Sequence, residues 1–294
     1  MCPDAAGKYP AVKGGKTDMN LTDKRKWVNA VLWLLSVASM IGLMILGSRI
    51  LVEDNGGLLV EFAVITIVSL LWLYLISGKK TFSFLTNQTG YTFRMLAPTL
   101  IFSAVFGIFG ILEVFFEHPP LIPGWPVNLA LFAADMFLVG VYEEACFRAC
   151  ACDALLPLLK NRRHPFLWTA LISGLVFGYV HVVSADFSDL HQTLQFFLKI
   201  ANTAVYGSMM MILYWKTRNL LGLAVIHGLN DFLPGFLDEI YQFTAADTSA
   251  TYTSGDSGTT IVYLIQLAVE LVCLFYIYRK VGRNLDYKTI LKEW

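Results

Sequence analysis

The sequence predicts an all-α, polytopic membrane bundle of about eight transmembrane helices, with N- and C-termini cytoplasmic. Three observations predict it. The chain has 294 residues, of which 56% are hydrophobic and only 15% charged, whereas a soluble domain carries about 25% charged residues. Eight apolar runs approach the roughly 20 residues that a helix needs to cross a bilayer. The connections between those runs also sort by charge. The N-terminal tail, residues 78–94, residues 160–163, the Lys216/Arg218 turn and the C-terminal end from Arg279 onwards together hold 19 of the 22 Lys and Arg residues. Residues 51–57, 117–126, 184–191 and 238–258 hold none. Basic loops stay on the cytoplasmic side, and the alternation fits an even number of spans.

The elements follow in chain order. Residues 1–26 form a polar, cationic, cytoplasmic tail. The first span, 27–50, is too long and too weakly punctuated for a cleaved signal peptide. The second, 58–77, carries a single charge, Glu61, near its edge. The third and fourth, 94–116 and 127–147, are separated by HPPLIPGWP, a Pro-rich turn that stops one helix and starts another. The fifth, 165–183, contains GLVFG, a small-xxx-small face that lets two helices approach closely. Spans at 194–215, 219–237 and 259–279 complete a transmembrane domain over 27–281, ahead of a cytoplasmic tail, 282–294. The five cysteines are an odd number and none lies in a predicted external loop, so no disulfide framework is implied. CACD at 150–153 could suggest thiol chemistry or a metal clip; small, soft packing residues are the blander reading.

Ionisable groups inside a span are costly and face a partner or a water-filled cavity. Six stand out: Glu143, Glu144, Arg148, His181, His227 and Asp231. Glu144 and Arg148 are one helical turn apart and can pair, with the arginine fork able to hold the carboxylate bidentately. Glu143 lies about 100° around the helix and has no such cation of its own. A carboxylate in an apolar surround can serve as a general base near neutral pH. His227 and Asp231 share one face of a later helix. Two imidazoles and several carboxylates suit water activation: one group takes a proton while others orient the water or stabilise an oxyanion. The competing reading is a buried Glu–Arg pair that only fixes packing.

EEACFR (143–148), FGYVH (177–181) and HGLND (227–231), in order on successive predicted helices, resemble the type II CAAX prenyl endopeptidase family, the CPBP or ABI-type intramembrane proteases. The run YGSMMMILYWKTRNLLGLAVIHGLND resembles the family's approach to its last motif, with Met211 or its neighbours where a second glycine is expected. The resemblance covers roughly residues 127–237, the implied catalytic core. It implies an intramembrane endopeptidase whose site opens towards the cytoplasm. Glu143 would activate the hydrolytic water with help from His181, His227 and Asp231 would lie on the oxyanion side, and Glu144 with Arg148 would organise the site. Asp231 departs from the asparagine of many members. An amide donates a hydrogen bond to an oxyanion and an ionised aspartate cannot, so Asp231 must be protonated, orient His227 or ligate a metal. Asn230 points elsewhere on the helix.

Depth supplies a geometric expectation. His227 lies roughly 12 Å from its cytoplasmic turn and His181 roughly 24 Å from its own, at 1.5 Å per residue. The two levels agree if the fourth and fifth helices project about two turns further, and His181 should then lie within about 8 Å of Glu143, close enough to share its chemistry. A divalent metal such as Zn²⁺ could use Glu143, His181, His227 and Asp231, but H-E-x-x-H spacing is absent and a metal-free glutamate mechanism fits the same residues. The expected partners are membrane lipid and a peptide or prenylated protein substrate. With no net charge, nucleic acid is not expected. The expected location is the cell membrane in a prokaryote or the ER membrane in a eukaryote. Two other readings share the bundle. One is a non-catalytic immunity or scaffold protein. The other is a proton-coupled transporter using Asp135 and Glu270, although the inverted repeats of many transporters are absent.

Overall fold

The computed structural model describes residues 19–50, 55–182, 187, 189–243 and 253–293. Most of the N-terminal tail and parts of the loops at 51–57, 184–191 and 238–258 lie outside them. The described residues form helices α1 (Met19–Ile50), α2 (Asn55–Ser77), α3 (Thr89–Glu117), α4 (Trp125–Glu144), α5 (Ala151–Leu159), α6 (Pro165–Val180), α7 (Leu190–Thr217), α8 (Leu220–Gly235), α9 (Ser257–Lys280) and the short α10 (Tyr287–Glu293). Residues Ala145–Cys150 join α4 to α5 as a π-helical turn.

Six of these stretches are long and apolar enough to cross a membrane; α6 and α8, at 16 residues each, are shorter. A 16-residue helix is roughly 24 Å long, against about 30 Å of hydrocarbon. The chain is therefore a multi-pass integral membrane bundle. These two shorter helices carry His181 at one end and His227 and Asp231 within.

The eight predicted spans correspond to these helices. The fourth runs past its predicted span end at 147, because α4, the π turn and α5 continue as one 35-residue rod from Trp125 to Leu159. Trp215, near the end of α7, donates from Nε1 to Cys152 Sγ at 3.0 Å and meets Phe166 with ring centroids 4.8 Å apart. Those contacts tie the ends of α5, α6 and α7 together, and α5 continues beyond Cys152 to Leu159 before the chain turns into α6 at Pro165. Tyr287 of α10 packs on Phe166 at 4.5 Å and adds to the same junction.

Close approach between backbones decides which helices are neighbours. On the α4–α8 seam, a Cβ on Gly140 would stand 2.2 Å from Ala224 O, and one on Gly228 2.5 Å from Met136 O. On the α6–α7 seam, Gly174 lies against Ala204 and Gly178 against Ile200, with a Cβ at either glycine meeting a Cα within 3 Å. The GLVFG face therefore does what its spacing suggests. By contrast, α7 and α8, consecutive in sequence, barely touch.

Candidate active site

The site begins with the π turn. Bonding that shifts from i+4 to i+5 adds a residue to the helix turn and disturbs the carbonyl ladder. Carbonyls here accept from outside: Trp33 Nε1 of α1 donates to Cys146 O at 3.1 Å, and Ser173 Oγ of α6 donates to Phe147 O. Cys146 O also accepts from the Ala151 N–H within the turn, so Trp33 is a second donor there, and the two side-chain bonds tie the widened turn to α1 and α6. The turn begins directly after Glu144.

Arg148, on that turn, is fully buried. Its Nη2 lies 3.2 Å from Glu144 Oε1, with side-chain exposures of 1% and 0%. The predicted pair exists but is not bidentate. Oε1 takes the contact, none of the guanidinium nitrogens has an aligned hydrogen-bond partner among the described residues, and neither does Glu144 Oε2. The π turn explains this: Arg148 is four residues from Glu144 but no longer one α-helical turn away, so the fork cannot face both oxygens. The guanidinium instead lies over the Phe177 ring, 4.5 Å from its centroid, a desolvated cation–π contact. Gly207 of α7 lies beside it, and a Cβ there would meet the guanidinium carbon at 3.5 Å, an ordinary van der Waals contact.

His227 stands between the two glutamates. Nδ1 is 2.7 Å from Glu144 Oε1, and Nε2 is 3.2 Å from Glu143 Oε2 and 3.5 Å from Asp231 Oδ2. Both ring nitrogens therefore face carboxylate oxygens, an arrangement satisfied when the ring carries two protons. His181 approaches from the end of α6. Its Nδ1 lies 2.7 Å from Phe177 O, so that nitrogen donates and Nε2 is left as an acceptor. Nε2 is 3.8 Å from Glu143 Oε1, well inside the expected limit. The Phe177 ring packs against both imidazoles, with centroids 4.8 Å from His181 and 6.0 Å from His227.

The structure thus brings all six sequence-predicted residues into one cluster. Glu143 is 9% exposed at its side chain, and Asp231, at 41%, is the open member. Asn230 turns away, as expected. Its amide donates to Tyr206 Oη at 2.9 Å and Thr99 Oγ1 at 3.3 Å, and its Oδ1 accepts from Ser103. That polar knot joins α8 to α3 and α7.

Among the described residues, no group of three or more His, Cys, Asp or Glu side chains is placed to hold a metal ion. The geometry supplies a reason at the proposed ligands, because both nitrogens of His227 are turned to carboxylates and Nδ1 of His181 to a carbonyl. The metalloprotease reading has no support here. An apolar groove of about 350 Å³, lined by Thr66, Leu70, Phe137, Val141 and neighbours, is not part of the cluster. Val141 lies roughly 200° around α4 from Glu143. Cys146, Cys150 and Cys152 are buried free thiols, and Cys146 Sγ lies 3.4 Å from Ser36 Oγ.

Sequence reasoning missed Trp33, Ser173, Tyr206 and Lys199. Only Lys199 left a signal. It is one of three basic residues outside the charged tails and loops, with Arg49 and Arg148. Residues 124–233 match the family model described as Rce1-like, type II CAAX prenyl endopeptidase Rce1-like. No curated protein and no solved structure matches the chain.

Proposed function

We propose that the chain, whose residues 124–233 match the type II CAAX prenyl endopeptidase Rce1-like family, is a membrane-embedded protease that hydrolyses a peptide bond near the cytoplasmic membrane face with Glu143 as general base. The reading takes residues 127–237 as the catalytic core. The observation that carries it is the split environment of the Glu143 carboxylate. One oxygen meets His227 Nε2 at 3.2 Å, while the other faces the acceptor nitrogen of His181 at 3.8 Å.

A separation of 3.8 Å between two acceptors is too long for a direct hydrogen bond and suits a bridging water. Such a water donates one proton towards Glu143 Oε1 and the other towards His181 Nε2. A lone pair is then free to attack. As the water oxygen bonds to the carbonyl carbon, its proton passes to Glu143 and the C=O electron pair moves onto oxygen. Collapse of the tetrahedral species breaks the C–N bond, and Glu143 returns the proton to the leaving amine. Glu144 acts on His227 rather than on the substrate. Its Oε1 fixes Nδ1–H, so Nε2–H points at the reacting centre. Arg148 holds that carboxylate in place from below.

The cytoplasmic placement rests on the basic loops at 160–163 and 216–218, which lie at the end of the bundle where α5–α6 and α7–α8 turn. The substrate under this reading is a prenylated CAAX-type C-terminus or another membrane-associated peptide precursor. A non-catalytic immunity or scaffold role would need the bundle but not the proton chemistry at Glu143.

The test is cleavage of a panel of farnesylated and unprenylated membrane-anchored peptides, with and without a chelator, by native protein and Glu143→Gln. General-base catalysis contributes roughly 10²–10⁴-fold. The variant should therefore lose activity on that scale while retaining its native thermal transition. Cleavage by Glu143→Gln within tenfold of native, or no cleavage of any panel peptide by native protein, overturns the reading. Loss of native activity on chelation would replace it with a metal-dependent one.

A further inference from the structure

The geometry points to Lys199 as a further catalytic residue: its ammonium group, carried on the α7 face that looks towards α8, supplies the positive charge at the oxyanion that an aspartate at position 231 cannot supply itself. This inference rests on the hydrolytic reading above.

The starting point is a surplus of negative charge. Glu143, Glu144 and Asp231 all meet at His227, with carboxylate oxygens between 2.7 and 3.5 Å from its ring nitrogens. A tetrahedral intermediate adds one more negative charge in the same space. Arg148 cannot meet it, because its side chain is sealed at 1% exposure beneath Glu144 and over Phe177. His227 offers one N–H, already shared by Glu143 and Asp231. An asparagine at 231 would add an amide donor, whereas an ionised aspartate adds only acceptors. The site therefore needs a cation from another element.

Lys199 is placed to be that cation. It lies seven residues before Tyr206 on α7, so the two share a helix face to within roughly 20°. That face looks towards α8. Tyr206 accepts from Asn230 at 2.9 Å, its ring is 5.4 Å from His227, and Asp231 is the next residue after Asn230. The α7 backbone at 199–200 is pinned beside the end of α6, since a Cβ on Gly178 would stand 2.8 Å from Ile200 Cα. His181 lies three residues beyond that contact. The ammonium nitrogen is 6.0 Å from the Tyr263 ring of α9. Asp231, Glu270 and Glu143 all act electrostatically on Lys199, and Lys199 acts on His181. The side chain therefore lies on the α7 face shared with Tyr206, beside the end of α6 and the Tyr263 ring of α9. Because α7 and α8 barely touch beyond the Tyr206–Asn230 knot, a substrate entering that cleft meets Lys199 and Asp231 together.

In this scheme, attack by water moves the carbonyl electron pair onto an oxygen that receives an N–H bond from Lys199 Nζ and, as Glu143 takes up the water's proton and ceases to compete for it, the N–H of His227 Nε2. Asp231 aims the ammonium group and keeps it charged. The pair does what a single amide would do with no partner.

The experiment uses full-length protein and whichever panel peptide the native protein cleaves fastest. Losing one oxyanion donor lowers kcat by about 10²–10³-fold, so Lys199→Met should show that loss with KM within threefold of native. Adding Asp231→Asn to Lys199→Met restores a neutral donor and should recover at least tenfold in kcat, which no purely structural role for Lys199 predicts. Lys199→Gln, with and without Asp231→Asn, repeats the comparison if the methionine variant does not fold. A kcat for the single variant within threefold of native, or no recovery in the double variant, overturns the assignment. If Glu143→Gln is inactive while Lys199→Met is native, only the role of Lys199 falls. If Glu143→Gln is active, the hydrolytic reading falls first.

Discussion

Helix α8 meets its two partners on either side of the site in opposite ways. Against α4 it is pressed backbone to backbone, with Gly140 and Gly228 each facing a carbonyl oxygen across the seam. Against α7 it hardly packs at all, and the link between them is carried by polar contacts such as the hydrogen bond from Asn230 to Tyr206. The close seam holds His227 between Glu143 and Glu144 to within hydrogen-bond distances. The loose one leaves Asp231 open, and under the proposed hydrolytic reading it is where a substrate would enter. A hydrolase in a membrane needs both, because the proton-transfer groups must be fixed within a fraction of an ångström while a long peptide must still reach them.

The largest expected effect comes from breaking the close seam. Gly228→Leu places side-chain atoms where Met136 O now lies and must push α8 away from α4. Overpacking of this kind costs about 1–3 kcal/mol or more. Moving His227 by even 1 Å separates it from both glutamates, and misplacement on that scale costs about 10²-fold in rate. Peptide cleavage should fall at least a hundredfold, together with a lower thermal transition. Near-native cleavage would show that the seam does not set the geometry.

The next effect concerns the charges buried beside that seam. Glu144→Ala strands the Arg148 guanidinium, which has no exposed route to solvent, and leaves His227 Nδ1 without its acceptor. Removing one partner of a buried ion pair destabilises by about 3–5 kcal/mol. A denaturation curve in detergent should show that loss. Glu144→Ala/Arg148→Met should recover part of the stability but not the activity, because the stranded charge is removed while His227 remains unoriented. A double variant no more stable than the single one would mean that Arg148 is not the source of the loss.

The smallest effect belongs to the loose seam. Tyr206→Phe deletes the hydroxyl that accepts from Asn230 and should cost about 1 kcal/mol in stability. Its sharper signature is kinetic. With the knot loosened, KM should change more than kcat, because α7 moves relative to α8 while Glu143, Glu144 and His227 remain on the α4–α8 side. A change confined to kcat would place Tyr206 in the chemistry rather than at the entrance.

Much of this was legible in the sequence. Apolar runs identified the helices, because backbone in lipid must satisfy its own hydrogen bonds and hydropathy reports that requirement directly. Ionisable residues inside those runs marked the site, since hydrocarbon makes each of them costly enough to need a purpose. The spacing of Glu144 and Arg148 announced a pair, and that of His227 and Asp231 a shared face. The details that escaped were of another kind. A π turn depends on donors from distant helices, here Trp33 and Ser173, and nothing local in ACFRAC specifies it. Lys199 was visible as a misplaced cation, yet its target lies on helices whose packing the chain does not spell out.

Taken alone, therefore, the sequence determined the membrane bundle, the loop charges and the identity of six polar residues, because hydropathy and charge act residue by residue. Only the tertiary structure decided that His227 stands between both glutamates, that Arg148 contacts one oxygen instead of two, and that α8 clings to α4 while parting from α7. Those outcomes depend on how closely backbones approach at Gly140, Gly174, Gly178 and Gly228, and such distances belong to pairs of helices, not to either strand of sequence.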